Sequence, residues 1–122
     1  MATFSKIKFS ESTDGRPIKV VATAIATSPT LIHTGSTTAT TLDEIWLYAQ
    51  NNHTSDVALR IGFGGVSDPD DIVEFTVKTK AGLYLIIPGL VLKGNATALT
   101  VKAAAGTTNV ISLSGYVNRI TA

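Results

Sequence analysis

The segment LDEIWLYAQ, Leu42 to Gln50, carries large side chains at both parities. In an extended chain Ile45, Leu47 and Ala49 fall on one face, and Trp46 and Tyr48 fall on the other. Trp46 is the only tryptophan in the chain. A strand that is bulky on both faces has little water on either side. That predicts a central strand with neighbours beside it and across from it.

Working outward, Asn51-Asn52 ends this strand with residue types that favour turns. Asp56 to Phe63 is the next strand, with Val57, Leu59, Ile61 and Phe63 on one face. Its spacing from the central strand suits a hairpin with a loop of about five residues. Ser67 to Asp71 is an acidic turn, and Ile72 to Lys78 alternates as a half-exposed strand. Leu83 to Ile87 is a continuous apolar run, expected to be buried, and Pro88-Gly89 punctuates it before Leu90 to Leu92. Leu99 to Ala103 and Val110 to Ile120 complete the downstream set. Upstream, Ile18 to Thr27 alternates over its whole length and reads as one long strand. Ser28-Pro29 breaks it, and Thr30 to Thr34 is a short apolar piece.

No helical period persists. About eight strands spaced near ten residues predict a single all-β domain, a β-sandwich, jelly roll or small barrel, over residues 17–122. Residues 1–16 read as an extended N-terminal arm, because Phe4, Ile7 and Phe9 keep no clean period.

Composition narrows the function classes. The chain has 122 residues, enough to bury a core of its own. Charged residues are 16% against an ordinary quarter, which suggests surface covered by another subunit. The formal charge of +1 provides no electrostatic footprint for nucleic acid or an anionic membrane. Without cysteine there is no thiol chemistry or disulfide. MATFSKIKFSES lacks the apolar run of a secretory leader.

Residues able to do chemistry are sparse. His33 and His53 read as exposed loop histidines, and zinc would need further ligands from carboxylates. Asp68-Pro69-Asp70-Asp71 reads as a solvated turn, with a calcium site at a subunit contact as the lesser reading. Asp43 and Glu44 are adjacent on a strand, so they point to opposite faces and cannot work as an acid/base pair. No G-x-S-x-G elbow occurs, and Gly64-Gly65 precedes no helix that would cradle phosphate. Asn52-His53-Thr54 and Asn95-Ala96-Thr97 read as chance triplets in a threonine-rich chain. The expectation is a protein that is not an enzyme and has no cofactor.

Four stretches together carry a resemblance: LDEIWLYAQN, SDPDDIVEFTV, LYLIIPGLVL and ISLSGYVNRI. Across residues 17–120 the chain resembles the small all-β virion proteins of tailed bacteriophages, in particular capsid decoration (cement) proteins. The resemblance implies a homotrimer on the outer capsid surface that bridges major capsid proteins and stabilises the shell. On that reading Phe4, Ile7 and Phe9 form a capsid-contact arm. Trp46, Tyr48, Phe63, Phe75, Tyr84 and Tyr116 supply the core or the trimer contact. The alternatives are a tail, neck or fibre-associated module that binds host carbohydrate, which would want aromatics exposed on loops, and a small cupin-like enzyme, which would need clustered histidines.

Overall fold

The computed structural model describes residues 2–122. Among them are nine strands and no helix: β1 (Thr3–Ile7), β2 (Ile18–Lys19), β3 (Thr30–Thr34), β4 (Leu42–Asn51), β5 (Val57–Phe63), β6 (Ile72–Val77), β7 (Tyr84–Lys93), β8 (Thr100–Ala105) and β9 (Ile111–Thr121). β4 is the central strand its side chains require, hydrogen-bonded to β9 on one edge and β7 on the other. Its sheet runs β1-β9-β4-β7, with β2 also on β9. The second sheet runs β3-β8-β5-β6.

All pairings are antiparallel and they nest: β5 with β6, β4 with β7, β3 with β8, β2 with β9. A long hairpin folded over on itself produces this nesting, and it is the connectivity of a jelly roll. The nested pairs alternate between the two sheets, so the all-β sandwich expected from strand spacing is the observed architecture. The core between the sheets holds Ile45, Leu47 and Ala49 of β4, Leu59 and Ile61 of β5, Leu113 and Val117 of β9, and Ile87 of β7.

Four local expectations are corrected. Ile18 to Thr27 is not one strand: only Ile18–Lys19 pairs in a sheet. Beyond it the backbone passes from one sheet to the other. Val20 N–H donates to Ile111 O at 2.9 Å, Ala105 N–H donates to Ala22 O at 3.0 Å, and the Thr30 hydroxyl accepts from the amides of Val21 and Ala22. The alanines there offer little to bury, and only Val20 and Ile25 anchor the crossing in the interior.

β4 and β5 are not a hairpin. They belong to different sheets, and the segment between them is a corner. β7 is not a buried strand interrupted at Pro88-Gly89. It runs unbroken through both residues as a sheet edge, with Leu83 and Leu85 exposed. An edge tolerates Pro88 because its missing N–H costs no ladder bond, and Gly89 takes a left-handed φ of 79° at a register shift. Finally, the arm is part of the domain. β1 pairs with β9 from Thr3↔Thr121 to Ile7↔Val117, and Phe9 is 1% exposed within the core.

Candidate functional site: a buried ion-pair cluster and an open aromatic face

Two places in the molecule gather polar or aromatic chemistry. The first lies inside. Asp43 shares the inward parity of Ile45 and Leu47, so β4 delivers a carboxylate into the interior, where it is 1% exposed. Arg119, on the inward parity of Val117, faces it from β9 at the register pair Asp43↔Arg119. The guanidinium grips the carboxylate bidentately, Nε to Oδ1 at 2.7 Å and Nη2 to Oδ2 at 2.8 Å. His33 closes the cluster from the opposite sheet, with Nε2 2.9 Å from Asp43 Oδ2.

His33 is therefore not an exposed loop residue, as its sequence context suggests, but a core residue of β3. The cause is a register shift between Leu31 and His33 that turns two consecutive side chains, Ile32 and His33, inward. The Ser10 amide donates to His33 Nδ1 at 3.1 Å, which leaves the ring proton on Nε2, donated to Asp43. Phe9 packs its ring edge-on against the imidazole, with centroids 6.0 Å apart.

Burial alone would push the Asp43 carboxyl up. The Arg119 and His33 hydrogen bonds and charges outweigh it and pull the pKa down to about 2. Arg119 is in turn raised, first by its hydrogen bonds to Asp43. The cluster contains Ser, His and Asp, but not as a nucleophilic triad. The Ser10 hydroxyl accepts from Thr34 N–H at 2.8 Å, and the imidazole nitrogen nearest Ser10 takes its backbone amide. Its geometry cross-links both sheets and the N-terminal segment.

The remaining sequence candidates stand apart. His53 lies after β4, where its amide donates to Asn51 Oδ1 at 2.8 Å. In the acidic loop Asp68 is held by Arg60 at 2.7 Å, and Asp71 accepts from the Ser67 amide at 3.1 Å. Among the described residues no three His, Cys, Asp or Glu side chains gather as a metal site.

The second place is the outer face of the β1-β9-β4-β7 sheet. Cross-strand rows define it: Lys6, Asn118, Glu44 and Val91 form one; Tyr116, Trp46 and Pro88 the next; Ser114, Tyr48 and Leu85 the third. Trp46 and Tyr116 lie 17° from parallel with centroids 6.2 Å apart. The indole covers Gly89, where a Cβ would meet ring carbon at 2.8 Å. Its N–H donates to Glu44 Oε1 at 2.6 Å, and Asn118 Nδ2 donates to the same oxygen at 2.9 Å. These bonds hold the Glu44 carboxyl below the usual range. The Lys6 ammonium sits 4.7 Å from the centre of the Tyr116 ring.

The six aromatics named from sequence thus divide. Trp46, Tyr48 and Tyr116 stand half-buried on the open face, while Phe63, Phe75 and Tyr84 pack on the core, Phe75 and Tyr84 against each other at 5.5 Å. The arm residues divide too: Phe4 is 71% exposed on the outer face, Ile7 packs on the core and Phe9 belongs to it. Phe9 as a capsid contact is corrected accordingly. The ion-pair cluster was missed from sequence. Its one legible signal was Asp43 and Arg119, opposite charges at inward parity on two apolar strands.

Comparison with protein-family models, curated proteins and solved structures finds no match to this chain.

Proposed function

We propose that this chain is a non-enzymatic structural subunit of a tailed-bacteriophage virion, a decoration protein on the outer capsid surface that bridges major capsid proteins. The observation that carries an assembly role is the open aromatic sheet face, bordered by an edge strand whose Leu85, Leu90 and Val91 are exposed, with Leu83 exposed just before it. A surface of that kind marks a protein contact. The inward-facing ionisable groups, by contrast, are bonded to one another and cross-link the sandwich, as suits a rigid shell part. The virion setting rests on the resemblance of the four strand stretches, which also implies a homotrimer.

The test is stoichiometric binding of purified protein to undecorated shells, read by co-sedimentation. Deleting residues 2–12 would remove core residue Phe9, so the informative arm variant is Phe4→Ser, exposed and folding-neutral. Loss of shell binding in that variant supports an arm contact. Wild-type protein that never sediments with shells overturns the decoration reading.

A second reading has one observation in its favour. Trp46 and Tyr116 lie mid-strand but on an open face, flanked by the polar groups of Glu44 and Asn118, which is a platform suited to a pyranose ring. A glycan array probed with the purified protein separates the two readings.

A further inference from the structure

We propose that the outer face of the β1-β9-β4-β7 sheet is the contact between two copies of this chain, packed face to face about a two-fold axis running between β4 and β9. This pairing departs from the homotrimer that the resemblance implies, rests on the sheet face alone, and is tested without shells.

The argument starts from which surfaces are closed to association. A sheet can recruit a partner at its edge or on its face. The β7 edge is poorly suited to strand addition. Its register against β4 shifts twice, between Ile45 and Trp46 and between Leu47 and Tyr48, and Pro88 lacks a donor in its middle. Bulges and edge prolines are how sheets discourage edge-to-edge pairing. The opposite edge is made by two short strands, β1 and β2, one after the other along β9, which offer only five and two residues to an added strand. What stays open is the face.

Its size fits a second copy. Four strands about 4.8 Å apart, with central strands of ten and eleven residues rising about 3.3 Å each, span roughly 600 Å² of projected face. Side-chain relief raises the accessible area above that projection, and a standard interface takes about 800 Å² from each partner.

The chemistry is self-complementary. The centre of the face is Trp46, Tyr48, Tyr116 and Leu85, the aromatic and aliphatic types that anchor interfaces. In the central rows the only charges are Lys6 and Glu44, one of each sign, in the same row on either side of Asn118. Among the described residues neither has an ion-pair partner of opposite charge in its own chain. The two-fold axis lays β4 of each copy over β9 of the other. Trp46 of one then meets Tyr116 of the other, and the ammonium of Lys6 comes within side-chain reach of Glu44 across the contact. An unrelated protein would need to bring its own matching pair of charges; a second copy already has it.

The experiment is sedimentation velocity with light scattering on the purified full chain over a dilution series. The expected mass is twice the 12.8 kDa chain. Because Trp46 is the only tryptophan, its emission should move to the red as the pair dissociates. Leu85→Lys with Val91→Lys, both at exposed positions, should weaken pairing by at least about tenfold, with the circular dichroism spectrum unchanged. Val21→Lys, exposed elsewhere, should leave it unaltered. Lys6→Glu and Glu44→Lys should each weaken pairing, and the double exchange should recover it. A single-chain mass at every concentration, a trimer, or a pair that survives Leu85→Lys with Val91→Lys would each overturn the proposal.

Discussion

The two faces of one strand, β4, lead opposite lives. On the inner face Asp43, Ile45, Leu47 and Ala49 are all at or below 1% exposure, and the one charge among them is bonded by both Arg119 and His33. On the outer face Glu44, Trp46 and Tyr48 are half-exposed, and the one charge among them is bonded to an indole and an amide with no cation beside it. Adjacent carboxylates, one residue apart, thus meet different dielectric surroundings. The inner face is complete within the chain, and the outer face is open. Removing a group from the first should cost stability; removing one from the second should cost association.

The largest contrast is expected at the two carboxylates. Asp43→Ala leaves the His33 imidazole and the Arg119 guanidinium facing a vacated interior site. Breaking one member of a buried ion pair typically costs about 3–5 kcal/mol. Glu44→Gln, which keeps an acceptor for Trp46 and Asn118 on an open face, should cost far less than Asp43→Ala. Urea unfolding of the two variants measures both. Equal losses would erase the distinction between the faces.

The N-terminal segment repeats the contrast five residues apart. Phe9→Ala empties a fully buried aromatic site and should cost about 3–5 kcal/mol, since the cavity sits under His33 and cannot collapse easily. Phe4→Ala, with 71% of its surface already in water, should change stability by no more than about 0.5 kcal/mol. A segment that behaved as a loose arm would show two small effects instead.

Acid should reveal the inner carboxylate most strongly, with the exposed Glu44 and Asp56 shifted in the same direction but less far. The Asp43 pKa is about 2 in the folded state against 3.8 for the free side chain, so the folded form holds its proton less tightly. Its contribution is present in full above about pH 4 and is lost as pH falls through about 2. A shift near two units corresponds to roughly 2–3 kcal/mol. Stability measured by urea between pH 5 and 2 should fall, and Asp43→Asn should flatten that slope. An unchanged slope in the variant would move the acid sensitivity elsewhere.

How much of this was legible in the sequence follows from what periodicity can and cannot encode. Alternation placed β4, β5, β6 and β9 and separated the two faces of β4 and β5, because a two-residue period maps directly onto opposite sides of a strand. It failed where the chain leaves that period. Ile18 to Thr27 alternates as well as any strand, yet its backbone partners lie on two different sheets, and nothing in the local pattern reports that. His33 was misread because a bulge, invisible to a strict alternation, turned it inward beside Ile32. Leu83 to Ile87 looked buried throughout, yet only Ile86 and Ile87 are, because apolar content does not distinguish a covered strand from an open edge. The aromatic outer face of β4 was read as dry, which is a statement about what covers it. Within one chain nothing does: Trp46 and Tyr48 are half-exposed, and that half of the reading is corrected.

A smaller contrast is expected where the two faces meet on the edge strand. Gly89 has a left-handed φ of 79°, and an added Cβ would meet the Trp46 ring at 2.8 Å. Gly89→Ala therefore meets two costs, backbone strain of about 1 kcal/mol and displacement of the indole. The indole is free to swing toward solvent, so the second cost should be small, and the total should stay near about 1–2 kcal/mol. The informative reading is spectroscopic. Trp46 should lose its parallel contact with Tyr116, its emission should shift to the red even in a single chain, and association through the outer face should weaken. A Gly89→Ala protein with unaltered emission would mean that the indole is not held down on β7, and the outer face would then have no fixed aromatic centre to set against the packed one beneath it.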